Sequence, residues 1–516
     1  MPKSQFVDPK KAFTPGYIHF EDIPVCQYKK TLAEEKKLYK KDDFLRIYRD
    51  MRIIREFETM LNEIKTKSEY NGVAYNNPGP AHLSIGQEAS AVGEAYSLDI
   101  NDLTFGSHRS HGEILAKGLS SINKLEDGEL YDIMKEFLGG TVLNVVEKHM
   151  NAGGDIKELA INFLLYGALA EVFARTTGFN RGLGGSMHAF FIPFGIMPNN
   201  AIVGGGAPIA LGAALYKRSN RKKGIVVANC GDGACGRGPV LESFNFASMD
   251  QITQLWDGGK GEGMPILFNV FNNHYGMGGQ ARGETMGYDM AARLGAGFNP
   301  TMMHAERVNG YDPLAVIDAV TRKKELLVNG KGPALLDVVT YRVSGHSPSD
   351  SSTYRTPEEI EAWKAADPIP AFKEKLIKGK IATESEIGAI DSSIIDRMTE
   401  VIKLAINDDI SPRMDLDKTP DAISSIMFSN QKVHSMDPTR TAEMTKPREE
   451  CDRLKEMATK VRTAKDANGK PVPKMKVYNI RDGLCEPIIN KFYDDPTLIA
   501  YGEDNRDWGG AFGVYK

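Results

Sequence analysis

Between Asp43 and Glu69 the apolar residues Leu45, Tyr48, Met51, Ile54, Phe57, Leu61 and Ile64 recur at three- and four-residue steps, with charges on the opposite face. That period predicts an amphipathic packing helix. Ahead of it, residues 1–40 are polar and punctuated by proline, and read as an extended arm. Residues 71–118 mix glycine, histidine and short apolar runs, and 120–171 read as helical. The glycine-rich run Arg181-Gly-Leu-Gly-Gly-Ser-Met-His188 then interrupts the pattern.

From there the periods alternate. Ala207–Tyr216 and Val240–Met249 read as helices; Gly224–Cys230, Met264–Phe271 and Ala334–Tyr341 are apolar runs of strand length. Such alternation predicts a parallel sheet with helices on both faces, and places ligands at the carboxyl ends of its strands. Thr356-Pro-Glu-Glu359 and Thr383-Glu-Ser-Glu386 are capping-box sequences opening two more helices. Residues 408–474, rich in Asp, Lys, Pro, Ser and Thr, read as a linker with a helical stretch around Arg448–Arg462. A new unit starts at Met475, with a helix over Ile480–Phe492 and a strand at Thr497–Tyr501.

Composition adds limits. A length of 516 residues suggests about three domains at roughly 150 residues each. Glycine is in excess, 51 residues, clustered between Gly182 and Gly297, which suggests backbone brought close to a ligand. The net charge of -4 gives no electrostatic footprint for nucleic acid or an anionic membrane surface. Five scattered cysteines without a C-x-x-C pair indicate neither a disulfide framework nor a zinc site. No leader pattern and no apolar stretch of membrane length are present, so a cytoplasmic protein without membrane partners is expected.

The strand ending at Cys230 runs into Gly231-Asp-Gly-Ala-Cys-Gly236, a literal G-x-G-x-x-G. Read alone it is a dinucleotide fingerprint. Asp232, however, lies between the glycines that would admit a pyrophosphate, and an unpaired carboxylate there repels it. A divalent cation reverses that sign. Bridging Mg²⁺ needs further oxygen ligands, and Asn272-Asn273 supplies an amide at the end of the next strand.

At this point the chain resembles the thiamine diphosphate-dependent dehydrogenase components of 2-oxo acid and acetoin dehydrogenase complexes. The resemblance runs through most of residues 41–375: His82-Leu with Gly86-Gln-Glu88, His108-Arg-Ser-His-Gly112, Gly184-Gly-Ser-Met-His188, Ile202-Val-Gly-Gly-Gly206, Gly231-Asp-Gly233, Asn272-Asn273, Tyr275-Gly-Met277, Tyr341-Arg342, Gly345-His-Ser347 and Tyr354-Arg-Thr356. These are motifs of the α-subunit, whereas Ile499–Asp504 and Gly509–Phe512 resemble the opening of the β-subunit. The implied organisation is an arm (1–40), an α-subunit-like diphosphate-binding domain of the thiamine diphosphate-binding fold (41–407), a linker (408–474), and the incomplete start of a β-like pyrimidine-binding domain (475–516), too short to close a core alone. On that reading Lys516 is a truncation point.

Carried over by position, the resemblance makes Asp232, Asn273 and the Tyr275 carbonyl the Mg²⁺ ligands. It places Gly231, Gly233, Ala234, His108, Arg109, Ile202, Gly204, Arg342 and Glu503 at the cofactor and gives catalytic roles to His82, His346 and His111. The implied reaction is decarboxylation of a 2-oxo acid, of pyruvate or branched-chain type, with reductive acylation of a lipoyl group on an acyltransferase partner; acetoin is the alternative substrate. Because the cofactor lies between α-like and β-like domains, a homodimer is expected. The β-subunit glutamate that activates the cofactor lies beyond the β-like portion present, so this chain alone is expected to be inactive.

Plainer readings stand beside these. His108 and His111, three apart, have the spacing of a helical metal pair. Arg109 is also readable as a salt-bridged residue, His82 as a core histidine, and Ser347 as a hydroxyl on a loop. Asp232 and Asn273 stand farther apart than is usual in the family, the excess falling in Gln254–Gly263, and residues 121–160 look like a second insertion. An NAD-dependent dehydrogenase and a non-catalytic binding module are the rival classes.

Overall fold

The computed structural model describes residues 6–255, 261–427, 446–495, 498, 500–502, 505 and 509–515. They form two units that divide between Asp415 and Leu416. The first is built on a six-stranded sheet of β1 (Leu103–Phe105), β2 (Ile196–Met197), β3 (Val226–Gly231), β4 (Ile266–Asn272), β5 (Glu306–Asn309) and β6 (Ala334–Val339). Their order is β2-β1-β3-β4-β6-β5, and every pairing is parallel.

Alternate strand residues serve opposite faces. Val226, Ala228, Ile266, Phe268 and Val270 share a core with Ala210 and Ala214 of one helix and Phe244 of another. Val227, Leu267, Leu336 and Val338 share a second core with Val316 and Val320 of a third. A sheet buried on both faces needs continuously apolar strands, which is why β3, β4 and β6 are visible in sequence. The sheet also contains β1, β2 and β5, two to four residues long and too short to show a period.

Helices α1 (Leu32–Leu38), α2 (Lys41–Lys67), α3 (Glu88–Ala95), α4 (His111–Lys124), α5 (Asp127–Glu136), α6 (Thr141–His149), α7 (Ile156–Val172), α8 (Gly206–Ser219), α9 (Gly238–Ser248), α10 (Pro313–Val328), α11 (Pro357–Ala365) and α12 (Glu384–Ile406) are among the helices of this unit. A third core joins α2, α4, α7 and α12 through residues such as Ile54, Phe57, Leu119, Leu164 and Val401. From Leu159 to Val172 helix α7 is buried on every side, which accounts for its nearly all-apolar sequence. The proposed insertion at 121–160 contains α5 and α6.

The N-terminal segment departs from a simple extended arm. Thr31 and Glu34 form a capping box for α1, and buried Glu35 accepts from Lys375 Nζ at 2.7 Å. Just before it, Cys26 N donates to the Arg307 carbonyl and Arg307 N to the Pro24 carbonyl, each at 2.8 Å, covering the outer edge of β5. At its other end the first unit extends past the predicted boundary at 407. Ser411 is buried, sharing a 2.6 Å hydrogen bond with Tyr166 Oη, and Thr176 N donates to the Pro412 carbonyl at 2.9 Å.

In the second unit the predicted linker contains a helix, Asp452–Thr459, and an antiparallel hairpin of Thr463–Lys465 with Pro471–Lys476. Helix Ile480–Asp494 follows, its Asp482 accepting from Lys460 at 2.9 Å and Arg453 at 3.2 Å. Thr497 and Ile499 of the expected terminal strand lie outside the described residues. No helix among the described residues is long and apolar enough to cross a membrane.

Candidate functional site

A cavity of about 540 Å³ opens at the carboxyl ends of the sheet strands. Each wall follows from a strand ending: His108 and Arg109 after β1, Ile202 and Gly204 after β2, the Gly231–Ala234 loop after β3, Asn273 and Tyr275 after β4, Arg342 and His346 after β6. His82 enters from the loop before α3. All sequence-predicted site residues therefore meet in one cavity except His111 and Glu503, the latter outside the described residues.

Asp232 begins the short helical turn after β3 and is 1% exposed. Burial pushes its carboxyl up to about 7, against the pull of the Gly233 N–H and Arg342. Its Oδ2 has no hydrogen-bond partner among the described residues. A buried carboxylate oxygen left bare is costly, and a cation beside it removes the cost. Gly233 lets two loops approach: a Cβ there would stand 3.1 Å from the Gly276 Cα.

Across the cavity, Asn273 Nδ2 donates to Gln87 Oε1 at 3.1 Å, and Tyr275 N donates to Asn273 Oδ1 at 3.3 Å. The Tyr275 backbone N–H thus fixes which end of the Asn273 amide is oxygen, and Gln87 accepts from the other end. Gln87 is itself placed by its neighbours: Arg55 of α2 binds fully buried Glu88 at 2.5 Å, and Glu88 accepts from Gly86 N at 3.1 Å. Tyr275 is pinned through its hydroxyl, which donates to both oxygens of Glu359 at 2.8 Å, and Tyr341 Oη donates to the same carboxylate at 3.1 Å. The expected capping box at α11 is accordingly only half formed. Thr356 caps the Glu359 N–H at 3.2 Å, while the Glu359 carboxylate serves the tyrosines.

Two guanidiniums flank the oxygen donors. Arg109, 6% exposed, donates to the Leu83 carbonyl at 2.9 Å. Arg342 donates to the Gly276 carbonyl at 2.7 Å and Tyr354 Oη at 2.9 Å, leaving its buried Nε unpaired. Burial disfavours both charges, and each guanidinium disfavours the other or is opposed by Arg355. An anion in the cavity relieves that penalty. Burial, then neighbouring histidines and Arg109, push His82 down to about 3; burial and Arg109 push His346 down to about 4. His108 moves down for the same two reasons. The three imidazoles are therefore uncharged at neutral pH. His346 is presented by a loop in which Asp350 Oδ2 accepts the His346 N–H at 2.7 Å.

His111 is placed elsewhere. Its Nδ1 faces Glu58 Oε1 at 2.8 Å and its Nε2 the Ser186 carbonyl at 2.8 Å, with both ring partners buried behind the wall. It ties α2, α4 and the 185–187 turn together and does not reach the cavity; nor does it pair with His108. The glycine-rich loop at 181–188 is likewise closed to ligands. Glu171, at the end of α7, accepts from the N–H groups of Asn180 at 2.7 Å, Gly182 at 2.9 Å, Gly184 at 2.6 Å and Gly185 at 3.3 Å. Gln87 and Glu359 are the supporting residues that sequence reasoning left without a role at the site.

Beneath the floor, cavity-lining Asn229 donates to Glu94 Oε1 at 3.1 Å and Asn269 to Glu94 Oε2 at 2.6 Å. Burial, then Glu113, pushes the Glu94 carboxyl up to about 8.

Fold and cavity together define an α/β enzyme with oxygen donors and buried arginines converging at the carboxyl ends of a parallel sheet. Residues 157–412 match the family model described as dehydrogenase E1 component. The chain is 31% identical over 392 residues, 76% of its length and 79% of the relative's, to a probable pyruvate dehydrogenase E1 component subunit alpha, mitochondrial, of Caenorhabditis elegans. It is 32% identical over 374 residues, 72% of its length and 76% of the relative's, to the type I mitochondrial subunit alpha of Ascaris suum. Against the Rickettsia conorii subunit alpha it is 28% identical over 386 residues, 75% of its length and 95% of the relative's. The chain belongs to the dehydrogenase E1 component family, on the α-subunit side of it, and that family is thiamine diphosphate-dependent.

Proposed function

We propose that this chain binds thiamine diphosphate with Mg²⁺ in the cavity and catalyses oxidative decarboxylation of a 2-oxo acid, pyruvate first among candidates, passing the acyl group to a lipoyl group on an acyltransferase partner. The observation that carries the reading is the bare, buried Asp232 Oδ2 in one cavity with Asn273, Arg109 and Arg342. Asp232, the Asn273 amide oxygen and the Tyr275 carbonyl are the hard oxygen donors that suit Mg²⁺. Arg109, with Gly233 and Ala234, faces the diphosphate. Ile202 and Gly204 line the same cavity, Gly204 against Arg237.

When bound, the cofactor supplies the electron sink for the carbon that loses CO₂. The chain's own share is to bind and orient. Uncharged His82 and His346, held low by burial and Arg109, offer ring lone pairs for hydrogen bonds and take up a proton only beside a carboxylate substrate, whose charge offsets Arg109. The relatives' names, which specify pyruvate, favour that substrate over branched-chain acids and acetoin. We further read residues 475–516 as the start of a β-like segment, fused to the α-like unit, and the active assembly as a homodimer completed by β-like sequence.

The test is calorimetric titration of thiamine diphosphate into the full chain. Binding should require Mg²⁺, vanish on chelation, and vanish in Asp232→Ala, while NAD produces no heat. Binding of NAD without metal, or cofactor binding undiminished in Asp232→Ala, overturns the reading. Without a partner the chain should turn over no 2-oxo acid; measurable decarboxylation by the purified chain alone contradicts the dependence on β-like sequence.

A further inference from the structure

Three imidazoles meet in the cavity from three separate loops. The rings of His82 and His108 lie 4.3 Å apart, those of His82 and His346 5.2 Å, and His108 stacks on His346 at 5.9 Å. One ring nitrogen of each lies within 4.8 Å of the corresponding nitrogens of the other two. Nδ1 of His82 and Nδ1 of His346 are buried without a hydrogen bond. Among the described residues no carboxylate belongs to this group.

The donor chemistry differs from that of the Asp232 loop. Carboxylate, amide and carbonyl oxygens select a hard ion, whereas neutral imidazoles select Zn²⁺, Cu²⁺ or Ni²⁺. We propose that His82, His108 and His346 form a second cation site, separate from the Asp232, Asn273 and Tyr275 donors, that takes a borderline transition ion of the Zn²⁺ class. Three imidazole nitrogens and one water or small anion complete a tetrahedral shell, the composition of open three-histidine zinc sites.

Zn–N bonds of about 2.0–2.1 Å in a tetrahedron put the nitrogens roughly 3.3 Å apart. The rings therefore close in by rotation, on loops rather than inside helices. The charge of Arg109, whose Nη1 is held by the Leu83 carbonyl, opposes a cation at these rings as it opposes their protonation, so the fourth ligand has to be an anion such as chloride or hydroxide that offsets it. An ion held here occupies the lone pairs that the proposed function uses for protons, so on that reading it inhibits. The site itself does not depend on the reading, since nothing in it requires thiamine diphosphate.

The full chain, freed of divalent ions, is titrated with Co²⁺ and then Zn²⁺ at neutral pH. One Co²⁺ per chain should bind with visible ligand-field bands, be displaced by Zn²⁺, and resist excess Mg²⁺. His108→Gln and His346→Gln should each weaken binding by about 10–100-fold or more, at least what loss of an outer-shell partner costs. Asp232→Asn should leave it unchanged. The unmutated chain loaded with Zn²⁺ gives a check free of folding effects: its X-ray absorption should show a nitrogen-dominated shell without sulfur. Absence of saturable binding, binding unchanged in both histidine variants, loss in Asp232→Asn, or a sulfur-containing shell overturns the proposal. Failure of the Mg²⁺-dependent cofactor test leaves these outcomes untouched, so the two ideas fail separately.

Discussion

Glu94 gives a sharp test of how the cavity floor is built. Its carboxyl is 1% exposed, touches two asparagine amides and is raised to about 8. In the unfolded chain it titrates near its ordinary value of 4.5. Below that value both states carry the proton, and burial costs the folded state nothing in charge. As pH rises, the unfolded chain ionises while the folded chain holds its proton, so stability falls by about 1.4 kcal/mol per pH unit until the folded carboxyl ionises near 8. The whole interval is worth about 5 kcal/mol.

Glu94→Gln removes this term. One oxygen still accepts an asparagine N–H, and the new Nε2 can reach Asn269 Oδ1 once that amide turns over, at the loss of the 3.0 Å bond from Asn269 Nδ2 to Asn229 Oδ1 that a protonated Glu94 donating there would equally forgo. Urea unfolding midpoints are measured for both proteins, free of ligands, from pH 5 to pH 8. The gap should be under about 1 kcal/mol at pH 5 and grow until the variant is more stable by about 4 kcal/mol at pH 8. Glu113, itself raised by burial to about 7, adds a slope to both proteins, and because its charge also raises Glu94 the comparison is repeated in a Glu113→Gln background. Parallel profiles, with no growing gap, refute the assignment of a buried protonated carboxyl at this position.

Further outcomes follow from neighbouring residues. Gln87→Leu leaves Asn273 Nδ2 without its acceptor, and Mg²⁺-dependent cofactor affinity should fall about 10–100-fold with little change in unfolding midpoint; equal affinity in calorimetry counts against Gln87 as the orienting group. Gly86→Ala forces a side chain onto a residue at φ +98° and a Cβ 2.5 Å from the Tyr341 carbonyl oxygen, so thermal unfolding should register a loss of about 1–3 kcal/mol or more. His111→Leu leaves buried Glu58 Oε1 without its partner while Oε2 keeps the Ser84 N–H, expected to cost about 1–3 kcal/mol, and Glu58→Leu, which strands that N–H, should cost less in the His111→Leu background than alone; strictly additive losses in the double-mutant cycle contradict the pairing.

The legible parts of the molecule are those where a local pattern is itself the cause. Strands β3, β4 and β6 show as apolar runs because both faces of the sheet are covered, and Asp232, Asn273 and Arg342 follow those strand ends directly. What stayed hidden depends on partners distant in sequence. The spacing of His108 and His111 says nothing about Glu58, which lies 53 residues away and turns His111 inward. Glu359 has the sequence of a capping acid, yet Tyr275, 84 residues upstream, takes its carboxylate. The sheet edges β1, β2 and β5 have too few residues for any period, and the arm's place along β5 rests on backbone hydrogen bonds that no side-chain pattern reports.

Glu171 shows how far such an internal partner reaches. The glycine-rich loop is shaped like an anion receptor, but its guest is covalently part of the chain and belongs to the last turn of α7. The loop therefore has an order of assembly: it can close only where that turn has already formed. Amide hydrogen exchange at Gly182 and Gly184 should rise and fall with that of the α7 C-terminus, making two glycine protons a reporter of a helix end that solvent does not reach.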